Sequence, residues 1–83
     1  APRPGQDALD VDEMLALRED DYRRRFYGTA LARARYDGLL RNAVLAAGRS
    51  ADPRRAEAVR AHLASPYPGV RAAAAWALAR LAR

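Results

Sequence analysis

GLLRNAVLAAGR at 38–49 and GVRAAAAWALAR at 69–80 are the two stretches whose comparison decides the fold. In the later one and just beyond it, Val70, Ala73, Ala74, Ala77, Leu78 and Leu81 recur at i, i+3, i+4, i+7, i+8 and i+11, which places them on one face of an α-helix. Sliding the chain against itself by 31 residues pairs Gly38 with Gly69, Leu39 with Val70, Ala43 with Ala74, Leu45 with Trp76, Ala46 with Ala77 and Arg49 with Arg80. A shift of that size is a helical-repeat period. At about 100° per residue, Leu45 and Trp76 lie about 120° from the main stripes of their helices. Each helix therefore carries a second large apolar position and needs neighbours on two sides, as in a stacked solenoid.

Working outward, SPYPG at 65–69 breaks the chain before the last helix. Asp52 followed by Pro53 signals a helix start, since the carboxylate caps free amides and proline suits the first helical position. That helix runs to about Ala64 with Ala56, Val59 and Leu63 on one face. The helix before it spans Leu39 to Ala47, with Gly48 as its C-terminal cap. Upstream, Thr29 caps one or two turns over ALARARYDG, with Leu31 and Ala34 facing inward. In REDDYRRRFYG, acids open a helix and arginines close it, matching the macrodipole, while Tyr22 and Phe26 form its buried edge and Gly28 stops it. A first helix covers about 11 to 17, capped by Asp10 or Asp12, with Val11, Met14, Leu15 and Leu17 as its apolar face. Residues 1–8 hold two prolines, a glycine and no apolar period, and read as a linker or a cut site. The expectation is an all-α chain: one helical domain over 9–83, with lead-in helices at 9–36 and repeat helices at 37–83.

Composition removes several chemistries. The 83 residues contain no cysteine and one histidine, so disulfides, thiolate zinc sites, iron–sulfur ligation and cysteine nucleophiles are excluded within this chain. No stretch approaches the roughly 20 apolar residues that span a bilayer, and the first residues lack the apolar core of a secretory signal, so a cytoplasmic setting and no membrane partner are expected. The net charge of +5 is uneven: residues 1–21 hold seven acids against two arginines, and 22–83 hold thirteen arginines against three acids. Any basic partner surface lies after Tyr22.

The stretch DDYRRRFYGTALARARYDGLLRNAVLAAGRSADP at 20–53, preceded by an acidic helix, resembles the C-terminal region of epoxyqueuosine reductase, the last enzyme of tRNA queuosine synthesis. The resemblance covers roughly residues 9 to 83, with GLLRNA intact at 38–43 and PGVRAAAAWALARL at 68–81 similar to a HEAT-like repeat. Two positions depart from that pattern: Arg18 stands where a capping Ser or Thr is expected, and Ala47 where a leucine is usual. The resemblance implies HEAT-like (armadillo-type) antiparallel helical repeats that help dock a tRNA anticodon stem-loop beside the parent enzyme's catalytic domains. It also implies cobalamin and two iron–sulfur clusters for the parent but no cofactor for this chain, which has neither the cysteine runs nor the cobalamin residues. No catalytic residue is assigned. A HEAT-like protein-interaction module without a nucleic-acid role fits the alanine-rich helices equally well.

Arg33, Arg35 and Arg41 are the candidate nucleic-acid contacts, because clustered arginines neutralise phosphates; the bland alternative is a solvated face with ion pairs to Asp37. Asn42 is read as fixing the turn before its helix, His62 as a surface side chain without a metal partner, and Trp76 as packing in preference to base stacking. The run Arg23, Arg24, Arg25 is read as a solvated helix end.

Overall fold

The computed structural model describes residues 10–28 and 35–82, and every described element is helical. The expectations for 1–8, for Leu31, Arg33 and Ala34, and for a cap at Thr29 lie outside the described residues. Helix α1 is Val11–Ala16, α2 Glu19–Arg25, α3 Tyr36–Ser50, α4 Ala56–Ala61 and α5 Pro68–Leu81; 3₁₀ turns at Pro53–Arg55 and His62–Ala64 flank α4. No helix among the described residues is long and apolar enough to cross a membrane.

Local chemistry sets most of the boundaries. Asp10 caps α1 by accepting from the Glu13 amide at 2.8 Å. Arg18 occupies the cap position of α2 and supplies no side-chain bond, so the acids Glu19, Asp20 and Asp21 meet the helix dipole without help from a hydroxyl. Asp52 accepts from the Arg54 amide at 3.0 Å, and the Arg54 side chain bound to it holds its carboxyl below the usual carboxylate range. Gly28 takes φ +79°, the left-handed conformation that ends the segment after α2.

Leu40, Ala43, Val44 and Ala47 of α3 face Val70, Ala73, Ala74 and Ala77 of α5, and all eight are buried. The two helices run in the same sense: Gly69 lies beside Arg41, and further along Gly48 lies beside Trp76 and Ala77. Between them the chain doubles back. Ala51, in the left-handed region at φ 54°, ends α3, and α4 returns so that Tyr67 lies beside Tyr36 at the start of α3, ring centroids 6.5 Å apart. Val59 is the fully buried anchor of α4, and burying a valine of this kind stabilises by about 1.5–3 kcal/mol.

Helix α1 packs chiefly against α3 and is tied to the turns on either side of α4. Arg55 grips Asp12 with two hydrogen bonds at 2.9 and 3.3 Å, and His62 donates from Nε2 to the Leu15 carbonyl at 2.8 Å. His62 is thus a half-buried bracket between helices, not the surface side chain its flanks suggested. Leu63 is corrected in the opposite direction. It is 42% exposed, because the last turn tightens to 3₁₀ and carries it off the face of Val59.

The largest correction concerns α3. The helix runs through Gly38 and Gly48 without ending at either. A Cβ on Gly48 would stand 2.7 Å from Trp76 Cζ3 and 3.0 Å from Ala77 Cα, so glycine is there to admit α5, and Ala51 takes the terminating conformation. Gly48→Ala is therefore expected to lower stability in urea by about 1–3 kcal/mol through overpacking. Gly38→Ala, whose Cβ would meet nothing within 4 Å, is expected to raise it by about 0.5–1 kcal/mol. Equal effects at the two glycines would contradict this assignment.

Candidate nucleic-acid interface

Two surfaces concentrate polar and aromatic side chains. The first is a cleft of about 350 Å³ where the starts of α2, α3 and α5 meet, lined by Glu19, Tyr22, Arg23, Arg35, Tyr36, Asp37 and Tyr67. Tyr22 lies 5.1 Å from Phe26 and 5.5 Å from Tyr36, centroid to centroid, and is only 2% exposed. The phenol of Tyr36 donates to the Leu17 carbonyl at 2.7 Å, and that of Tyr67 donates to the Glu19 carboxylate at 2.6 Å. The hydrogen bond to Glu19 raises the Tyr67 pKa, and burial raises those of Tyr22 and Tyr36. These phenols stay protonated at neutral pH, and those of Tyr36 and Tyr67 act as donors. Both guanidinium groups in the cleft are spoken for: Arg23 pairs with Glu19 at 2.9 Å, and Arg35 holds Asp37 through Nε and Nη2 at 3.3 and 3.2 Å.

Of the predicted contacts, Arg33 lies outside the described residues, and Arg35 caps the start of α3 with its charge largely spent on Asp37. Arg41 is exposed, forms no ion pair among the described residues, and sits over Gly69 with Cδ 3.5 Å from the position of a Cβ there. Arg35 and Arg41 do not form one cluster: Arg35 lines the cleft, whereas Arg41 lies on the α3–α5 seam. Asn42 is exposed, and its amide bonds nothing among the described residues, so the turn-fixing role falls away; α3 has already begun at Tyr36 and there is no turn beside it to fix. Arg23, Arg24 and Arg25 pair with Glu19, Asp21 and Glu13, in that order.

The second surface is the outer seam between α3 and α5, where Arg41, Leu45 and Arg49 follow one another at i, i+4 and i+8 beside Trp76 and Arg80. Trp76 is 41% exposed, with one edge set into the notch at Gly48, so packing describes only part of its surface. Arg80 donates from Nε to the Gly48 carbonyl at 3.2 Å while its guanidinium stands 5.1 Å from the Trp76 ring centroid. Arg41, Arg49 and Arg80 have no carboxylate partner among the described residues, and α5 contains no acid. Arg49 and Arg80 were not among the predicted contacts. The signal that finds them is the internal alignment itself, which pairs Arg49 with Arg80 and Leu45 with Trp76. Among the described residues no group of three His, Asp or Glu side chains is placed to hold a metal ion.

No family model matches the chain, and no curated protein or solved structure matches it significantly.

The tyrosines give a pH dependence with a definite sign. A pKa raised on folding contributes stability that is complete below the unfolded value of about 10 and is lost as the pH climbs through the folded one. Thermal unfolding followed by circular dichroism is expected to show Tm falling above about pH 10. Tyr67→Phe is expected to lower Tm at neutral pH and flatten that decline. An unchanged alkaline slope in Tyr67→Phe would remove the Tyr67–Glu19 bond from the account.

Proposed function

We propose that this chain is the C-terminal HEAT-like domain of an epoxyqueuosine reductase, a non-catalytic module that helps seat a tRNA anticodon stem-loop while domains elsewhere in the protein reduce epoxyqueuosine to queuosine. The observation that carries the reading is the orientation of GLLRNA at 38–43. Leu40 and Ala43 are buried against the core, and Arg41 is left exposed without a carboxylate. Phosphate contacts of this kind supply most sequence-independent affinity for nucleic acid. The same-sense pairing of α3 with α5, and α4 returning between them, supports a stack of two-helix units of the HEAT-like kind. On this reading the iron–sulfur clusters belong to the catalytic domains, since this chain has no cysteine to ligate iron, and cobalamin is assigned to those domains by the resemblance. The module works in the cytoplasm, where its tRNA substrate is. A HEAT-like protein-interaction module is the second reading, favoured by exposed Leu63 and by Ala72, Ala75 and Ala79 on the open side of α5.

Fluorescence anisotropy with a labelled anticodon stem-loop RNA tests the first reading. Affinity is expected to fall with rising salt, and the combined Arg33→Ala, Arg35→Ala, Arg41→Ala variant is expected to bind more weakly with a shallower salt slope. Every arginine that neutralises a phosphate adds about 0.7–0.9 to that slope, so its replacement by alanine takes the same amount away, and Arg41 accounts for more of the change than Arg35. Binding that ignores both salt and the triple substitution would favour the protein-interaction reading.

A further inference from the structure

The α3–α5 seam has two properties that rarely coincide: an aromatic ring that is exposed yet held in place, and a set of cations with no acids among them. Trp76 is fixed on one edge by the notch at Gly48, where a Cβ would stand 2.7 Å away, and on its face by the Arg80 guanidinium. Arg80 is itself fixed by its bond to the Gly48 carbonyl, which occupies Nε and leaves its terminal nitrogens without a partner among the described residues. Arg41 and Arg49 stand eight residues apart on α3, about 12 Å along the axis at 1.5 Å per residue. That separation is wide enough for the two guanidinium groups to meet different phosphates of one extended strand.

Charge decides the occupant. An apolar helix laid on this seam would desolvate Arg41, Arg49 and Arg80 without a counter-charge, which is strongly unfavourable. A polyanion meets all three and still leaves the indole free for a flat apolar partner. A polynucleotide offers both, since phosphates repeat along its backbone and unpaired bases present faces that stack on aromatic side chains.

We propose that the seam binds unpaired RNA, with Arg41, Arg49 and Arg80 holding phosphates of one strand and Trp76 stacking on an exposed base. The inference rests on the nucleic-acid reading above and deepens it, because it shifts the contact surface from the Arg35 side of α3 to the face shared with α5. It also assigns the loop of the stem-loop, and not its paired stem, to this module.

The chain holds one tryptophan, so its emission reports on this seam alone. Titration of the full chain with an anticodon stem-loop RNA is expected to quench that emission in step with the anisotropy change, whereas a blunt duplex RNA of equal length binds more weakly and quenches little. Trp76→Ala is expected to weaken stem-loop binding about tenfold, with Trp76→Phe retaining most of it. Arg49→Glu, on an exposed helix position away from the core, is expected to weaken it by a similar factor with unchanged helix content. Binding seen by anisotropy with the emission unmoved, or equal affinity for stem-loop and blunt duplex, overturns the seam and leaves the tRNA reading standing. No binding of either RNA removes both. Quenching by an acidic peptide that displaces the RNA would instead assign the seam to a protein partner.

Discussion

The close approach of α3 and α5 at Gly48 governs the rest of the structure. Two helices that meet through leucine or phenylalanine stand apart by the depth of those side chains. Here the contact is made by Ala43, Ala47 and Gly48 against Ala73, Ala74 and Ala77, so the backbones come close and their register becomes specific. Trp76 closes one side of this contact with an edge in the Gly48 notch, and Arg80 ties the two helices by bonding the Gly48 carbonyl. Leu40, Val44 and Val70 supply the large apolar surface beside this contact. Its stability depends on density, with few voids between small side chains, and a single added methyl group is felt across it.

The lead-in helices solve a different problem by different means. Their apolar contribution is small, chiefly Met14, Leu15 and Tyr22, and polar bonds that span long stretches of sequence set their position. Arg55 to Asp12, His62 to the Leu15 carbonyl, Tyr36 to the Leu17 carbonyl and Tyr67 to Glu19 fasten α1 and the start of α2 to four later segments. The acids of the first 21 residues thereby neutralise arginines of α2 and of the turn before α4. The cations of the α3–α5 seam, beyond the reach of these acids, keep their charge. The uneven division of charge along the chain becomes an uneven division in space, with a self-paired end and an unpaired face.

That partition bears directly on function. A surface of paired arginines attracts a phosphate less, because the neighbouring carboxylates offset its positive potential. Unpaired arginines beside an exposed indole can release counterions and stack a base at the same time. The nucleic-acid reading and the choice of the seam over the tyrosine cleft both follow from this difference.

Periodicity in the sequence determines that the chain is helical, and the 31-residue self-match aligns α3 with α5. Capping chemistry at Asp10 and at Asp52–Pro53, and the Tyr22–Phe26 edge, are legible for the same reason: each is written within one or two helical turns. What the sequence could not settle depends on atoms far away along the chain. Gly48 carries the residue type of a cap, and only the position of Trp76 28 residues later shows that it is a notch. His62 and Leu63 exchange their expected burial because α1 offers a carbonyl to one, and a tightened final turn swings the other outward. Asp37, two residues on, pairs with Arg35 as its nearness in sequence allows, but only the fold shows that Arg41 lies over Gly69 of α5. Helix periodicity and the ion pairs made within four residues are local properties, whereas burial and the long-range pairs Arg25–Glu13 and Arg55–Asp12 belong to the assembled fold, so tertiary packing decides which faces of the helices remain open.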